Sequence, residues 1–445
     1  MRLRFSLILA VLVLATPLFA ANYVLTSAQW GNAQENAVTA AGGTVHYAHG
    51  SGIAVVTSDA ADFLSRANAS GKFQSAAEDM VVQWQMPTQY AELEESAVTP
   101  NNETFSPEQW APTAVNAQGA WSLGYTGAGV RVAVLDGGIH NTHIDLNGNV
   151  DVARSISMVP GFAFNQDVGT FWHGTHVAGI VAARDNNIGT IGIAPDATIV
   201  GVKVLHNGGG SFGQVIAGIL YASDPIAAGG GGAHIINMSL GATFPKQGGA
   251  GSLIGALAKA VNYAASKGVL VISAAGNDGM DLGQSKSYTS VPAESGSGLA
   301  VSASGPMGFA LGATNFRRPA SYSNYGEGTV SVAGPGGDFA LPGTAVCSMP
   351  RIPTGVVTLP CWAFDMVVST SRGPGASISS YSWAAGTSMA APAVAGVAAL
   401  TLQAHPGLSL GGLKAKLKNS ADDEGKGGND EFYGHGYVNA GNAVQ

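Results

Sequence analysis

The feature that narrows the fold most is an alternation. From residue 129 to residue 273, short apolar runs take turns with stretches of helical pattern. Residues 129–135, 198–205, 233–239 and 268–273 read as strands, and 173–183, 212–222 and 252–266 as helices between them. The run ending Val132-Ala133-Val134-Leu135 has no polar break, the pattern of a parallel strand covered on both faces. Strands that alternate with helices predict an α/β fold with right-handed crossovers. Shorter strands are expected in 299–333, and 334–385 reads as an irregular loop region. Ligands of such folds sit beyond the carboxyl ends of the strands. Asp136, Ser239 and Ala274-Ala275-Gly276-Asn277 fall at or just past such ends.

A second constraint is Gly386-Thr387-Ser388-Met389-Ala390-Ala391-Pro392, followed by a run that is apolar nearly all round through Gln403. That is the pattern of a buried helix, with Pro392 tolerable if it lies in the first turn. Ser388 then has two readings: an N-cap, or a nucleophile beside free backbone N–H groups that stabilise an oxyanion.

Charged residues make up 11% of the 445 and glycine accounts for 63, a composition of tight packing and many turns in a chain long enough for more than one domain. A net charge of −8 without basic clusters argues against nucleic acid or an anionic membrane as partner. Lys414, Lys416 and Lys418 form a small basic run that reads as a solvated helix face.

Residues 1–20 combine Arg2 and Arg4, an apolar run and a small-residue end, the layout of a secretory signal peptide, although Leu18 fits the cleavage pattern poorly. No later stretch reads as apolar over the length needed to span a bilayer. In an exported chain Cys347 and Cys361 are expected to form one disulfide, the alternative being two free thiols. Residues 21–84 read as a small domain with the order β-α-β-β-α-β, its last strand at 80–84, as in ferredoxin-like folds. Residues 85–108 are polar and Pro-punctuated and read as a linker, with 109–445 as the main domain.

Each candidate site residue has a plain reading. Asp136 before Gly137-Gly138 suits a turn, Asn277 before Asp278-Gly279 likewise, and His176 suits a core histidine. His173 and His176 could instead share a helix face as a metal pair, but a lone His-x-x-His is a weak zinc signal.

Taken together, Val132-Ala133-Val134-Leu135-Asp136-Gly137-Gly138-Ile139, His173-Gly174-Thr175-His176-Val177-Ala178-Gly179, Asn237-Met238-Ser239-Leu240-Gly241, Ala274-Ala275-Gly276-Asn277 and the Ser388 stretch resemble the motifs of the subtilisin-like serine proteases. The resemblance runs from about Trp110 to Gln445, and residues 22–84 resemble the family's inhibitory pro-domain more loosely. It implies a three-layer fold around a mostly parallel sheet and a secreted, monomeric endopeptidase acting on proteins or peptides, made as a self-processed precursor. In this resemblance Ser388 is the nucleophile, His173 the general base, Asp136 its orienting acid, and Asn277 an oxyanion donor. Ser239, Leu240, Gly241, Gly208, Gly209 and Gly210 would pair with extended substrate. Ala274, Ala275 and Gly276 would line a first pocket with room for a large apolar residue, whereas Asp278 at its rim would favour a basic one. A structural calcium would take Asp145 and Asn186 side chains and the carbonyls of Arg184, Ile188 and Thr190, with Glu108 or Gln109 as an N-terminal ligand. The region 334–385 is longer than the family's minimal pattern. The alternatives are a zinc hydrolase using His173, His176 and Asp136, and a binding protein on a retired protease scaffold.

Overall fold

A computed structural model describes residues 21–84, 89–92, 103–169, 171–373 and 379–445. The chain packs as two compact units, one ending at Glu78 and the other starting at Asp79. The signal-peptide stretch lies outside the described residues.

The first unit runs β1 (Ala21–Thr26), α1 (Asn32–Ala40), β2 (Gly43–His49), β3 (Ile53–Ser58), α2 (Phe63–Ala69) and β4 (Ser75–Glu78). Its sheet has the order β2-β3-β1-β4 with antiparallel neighbours. Tyr23, Leu25, Val38, Val56 and Phe63 form its core. The last strand differs from the sequence reading. Ser75 to Glu78 carries little strand propensity, yet it pairs with β1. The more strand-like Val81–Gln83 (β5) pairs instead within the second unit.

The second unit continues with β6 (Gln89–Glu92), α3 (Ala111–Ala114), α4 (Ala117–Trp121), β7 (Arg131–Asp136), β8 (Ile156–Ser157), α5 (His173–Ala182), β9 (Thr198–Lys203), β10 (Gly209–Ser211) and α6 (Phe212–Ser223). There follow β11 (Ile235–Met238), β12 (Ala242–Pro245), α7 (Gly251–Ser266), β13 (Leu270–Ala274), β14 (Tyr288–Val291), β15 (Leu299–Ser304) and β16 (Val330–Pro335). The chain ends through β17 (Val346–Pro350), β18 (Val356–Pro360), β19 (Val367–Arg372), β20 (Ser379–Ala385), α8 (Thr387–Ala404), α9 (Leu410–Asn419) and α10 (Ala440–Ala443).

The central sheet has the order β16-β15-β13-β11-β7-β9-β8, and its neighbours are all parallel. Successive strand residues face opposite ways, so each apolar strand feeds two layers. Val132 and Val134 join the core with Val177 and Val181 of α5 and Val394 and Val397 of α8. Leu135 and Val202 face Gly218 of α6, which packs against α7. These are the helix, sheet and helix layers of a parallel α/β fold.

The region 334–385 is more ordered than its composition suggested. It holds the antiparallel pairs β17–β18 and β19–β20, and the Cys347–Cys361 disulfide links the β17 strand to the residue just after β18. Buried hydroxyls of β19 find partners on α5. Ser369 Oγ donates to His176 O and Thr370 Oγ1 to Thr175 O, each at 2.8 Å, tying β19 to α5. The linker reading also fails at its end, where Glu103, Phe105 and Glu108 are buried and Phe105 packs on Tyr381 and Trp383.

Helix α8 corrects two further expectations. It is long and apolar enough to cross a membrane by length and composition, yet it is buried in the core of the second unit. Pro392 lies inside it, not in its first turn. The proline has no N–H for the carbonyl of Ser388, four residues back, and the Ser239 hydroxyl bonds that carbonyl instead, at 2.7 Å.

Candidate active site

Asp136 is the last residue of β7, where the sheet delivers it to the carboxyl edge. Its backbone carbonyl accepts from Val204 and Leu205 N–H at 2.9 and 3.2 Å, and its carboxylate accepts from Gly137 N–H at 2.6 Å. Both carboxylate oxygens meet His173 Nδ1, at 3.0 and 2.8 Å. His173 opens α5, and Gly174 behind it allows the approach, since a Cβ there would stand 2.6 Å from Gly138 O and 2.9 Å from Asp136 Cβ. His173 Nε2 is buried and bonds to none of the described residues.

Ser388 is the second residue of α8, and Gly386 is the N-cap, with no side-chain capping bond. The N-cap reading of Ser388 therefore falls. Helices α5 and α8 pack against each other, so His173 and Ser388 stand at the starts of two touching helices. Ser388 Oγ donates to Ser239 O at 3.2 Å. Catalytic hydrogen bonds of a resting site are often longer than in the reacting complex.

Asn277 is oriented by a residue the sequence reading missed. Its Oδ1 accepts from Thr387 N–H at 2.9 Å and from Thr387 Oγ1 at 2.8 Å, which turns its NH₂ end the other way. Thr387 Oγ1 also accepts from Gly276 N–H at 3.1 Å. The signal was in plain view, a threonine next to the candidate serine, but its partners lie more than a hundred residues away.

The Gly208–Gly210 edge is paired by a segment of this chain. Val81, Val82 and Gln83 lie opposite Ser211, Gly210 and Gly209 in antiparallel register, and Trp84 N–H donates to Gly208 O at 3.0 Å. Trp84 is buried, its Nε1 donates to Gly210 O at 3.0 Å, and its ring meets Phe212 edge-on at 5.7 Å. Asp79 accepts from Gly213 N–H at the start of α6. On the strand leading to Ser388, β6 pairs antiparallel with β20, Gln89 opposite Ala385 and Ala91 opposite Trp383. Tyr90 stacks on Phe171 at 4.8 Å. Ser239 and Leu240 are buried beyond β11, and Ala274, Ala275 and Gly276 lie at the end of β13. Asp278 accepts from Thr243 Oγ1 at 3.3 Å.

His176 stays apart from this chemistry. Its Nε2 donates to Ser382 O at 2.9 Å, and burial pulls its pKa down to about 3, so it is neutral. His173 and His176 thus take different partners and do not pair as ligands.

The loop proposed to hold calcium brings Asp145 and Thr190 together. Asp145 Oδ2 accepts from Thr190 N–H at 2.9 Å, and from Thr190 Oγ1 and Tyr381 Oη at 3.3 Å. Arg184 N–H donates to Asp145 O. Asn186 Oδ1, expected as a ligand, accepts from Ile188 N–H at 3.0 Å. Gln109 is taken up by both backbone groups of Ile191 and does not reach the loop as a ligand. Glu103 does, accepting from Asn186 and Asn187 N–H at 3.0 and 2.9 Å. Asp145 Oδ1 and Glu103 Oε2 are buried with no hydrogen-bond donor. Burial, and then the charge of Glu103, push Asp145 well above the usual carboxylate range, and burial is the main cause that lifts Glu103 to about 7. Two hard carboxyl oxygens without donors fit a hard cation.

Residues 127–436 match the model of the subtilase family. The chain is 38% identical over 332 residues to subtilisin Savinase of Lederbergia lenta, covering 74% of this chain and 96% of that one. It is also 38% identical over 332 residues to M-protease of Shouchella clausii, covering 74% and 68%. Among solved structures, a protease from Pseudoalteromonas arctica superposes with a TM-score of 0.59 at 31% identity, covering 78% of this chain and 99% of that one. With family, fold and relatives in agreement, this chain belongs to the subtilase family and is a serine endopeptidase.

Proposed function

We propose that the chain is an exported endopeptidase made as a self-inhibited precursor, with Asp136, His173 and Ser388 as its catalytic triad. The observation that carries this reading is the Asp136–His173 pair, in which a buried carboxylate holds Nδ1 and leaves Nε2 to act as base. Ser388 Oγ attacks the peptide carbonyl while His173 Nε2 takes its proton. The tetrahedral oxyanion is met by the NH₂ of Asn277 and the N–H of Ser388. His173 returns the proton to the leaving amine, and water, deprotonated by the same imidazole, then releases the acyl group from Ser388. Asp136 stabilises the imidazolium in both halves.

Residues 21–84 act as the inhibitory pro-region in this reading. Asp79–Trp84 supports it, lying on β10 as the unprimed side of a substrate, with β6 on β20 as the primed side. The first bond cut then falls between Trp84 and Gln89, inside the maturation region 85–108. Export rests on the layout of residues 1–20 and on the disulfide, which suits an oxidising compartment.

A structural calcium would be held by Asp145 and Asn186, the carbonyls of Arg184, Ile188 and Thr190, and Glu103. It would neutralise buried carboxylates and take no part in the reaction.

The test is Ser388→Ala, expected to accumulate as full-length precursor. Normal maturation of that variant in pure form would overturn self-processing.

A further inference from the structure

We infer that Lys203 is a positioning residue for the catalytic apparatus, its buried ammonium clamping the turn after Asp136 to the turn that enters the substrate strand. The inference rests on the triad reading above. Lys203 lies opposite Asp136 in the parallel register of β7 and β9, and its side chain is among the largest fully buried ones. Nζ donates to Gly137 O, the carbonyl next after Asp136, and to Leu205 O at 2.6 Å. Gly137 N–H holds the Asp136 carboxylate, so anchoring Gly137 through its carbonyl steadies the residue that holds the acid, which in turn holds His173. Leu205 leads into His206, whose backbone N–H and C=O both pair with Gly209 at the head of β10. One ammonium therefore touches both the acid's turn and the substrate strand's turn.

The surroundings explain why a lysine can be buried there. Asp136 faces it from β7 and Asp167 from the loop before α5, where Asp167 also accepts from Val168 and Asn207 N–H. His206 stands 3.7 Å from Asp167, and the Phe162 ring lies 5.8 Å from Nζ. Burial lowers the Lys203 pKa, and Asp167 and Asp136 draw it back up. Asp136 also binds His173, whose neighbouring ring, His176, is neutral. A fixed positive charge beside Asp136 opposes the imidazolium that forms on His173, and Asp167 offsets part of that opposition.

The test is the pH profile of kcat/KM for Lys203→Met, Lys203→Arg and Asp167→Asn, with Ser388→Ala run in parallel. Lys203→Met should move the acid limb to higher pH by about half a unit and cut kcat/KM at least about tenfold on peptides long enough to pair with β10. A short ester that does not reach β10 should lose less. Lys203→Arg should return the limb toward its wild-type position. Asp167→Asn should move it to lower pH. A purely structural lysine would lower activity with the limb unmoved, and that result overturns the inference. If Lys203→Met does not fold, an unmoved or upward limb in Asp167→Asn overturns it equally. Retained cleavage by Ser388→Ala would instead mean that the triad reading had failed.

Discussion

The hydroxyl of Ser239 donates to the backbone carbonyl of Ser388 at 2.7 Å, and Ser388 Oγ in turn donates to Ser239 O at 3.2 Å. The exchange exists because Pro392 withholds the helical N–H that would otherwise bond that carbonyl. Ser239→Ala leaves a buried carbonyl without a donor, so it should cost about 1–3 kcal/mol of stability. Paired with Pro392→Ala, which restores an N–H, the loss should shrink. Urea unfolding of the two single variants and the double variant checks the coupling.

Thr387 holds Asn277 through two hydrogen bonds, from its N–H and its hydroxyl. Thr387→Val keeps the shape and loses the hydroxyl. Because a loosely held donor matters most when charge develops on the oxyanion, kcat should fall about tenfold with KM little changed. Steady-state kinetics on one peptide substrate decides it. A raised KM at constant kcat would contradict this role.

Trp84 is buried on β10, with a hydrogen bond to Gly210 O and ring contact with Phe212. Trp84→Ala forfeits an aromatic anchor and should slow the first self-cleavage by about tenfold or more, a loss typical of a large buried side chain. A time course of precursor disappearance measures it, and cleavage of an unrelated peptide by the matured enzyme should be unchanged.

Glu103 and Glu108 are lifted to about 7 and about 8 against an ordinary 4.5, burial being the first cause in both. Raised folded-state values mean that the folded protein binds more protons than the unfolded chain across that interval. This contribution to stability is present in full below about pH 4.5 and is lost as pH rises through 7 and 8. Without calcium, the melting temperature should fall between pH 5 and pH 8. Calcium should recover more of it at pH 8 than at pH 5, because it binds the ionised carboxylates. Glu103→Gln should flatten the calcium-free curve and weaken the recovery. Equal calcium stabilisation at both pH values would count against the site.

Much of the site was legible because its parts sit in contiguous motifs. Asp136 ends an apolar strand, His173 begins an apolar helix, and Ser388 follows a glycine before a buried helix. Periodicity also placed the parallel sheet, since a strand covered on both faces must be apolar throughout. Misplaced segments had a common cause. Ser75 to Glu78 and the serine-rich β19 and β20 are strands through partners supplied from elsewhere, not through their own composition.

The amino-acid order alone pointed to the layered α/β class, because that is written in local pattern. The candidate triad came from the motifs' resemblance to the subtilisin-like proteases, and the cysteine pair from residue type, with free thiols as the alternative. Tertiary structure decided which groups support them. Glu103 meets Asn186 across 83 residues, Lys203 meets Gly137 across 66, and Trp84 meets Gly210 across 126. No local period encodes such distances. They become contacts only once the sheet has closed and buried polar groups must find partners wherever the fold has brought them.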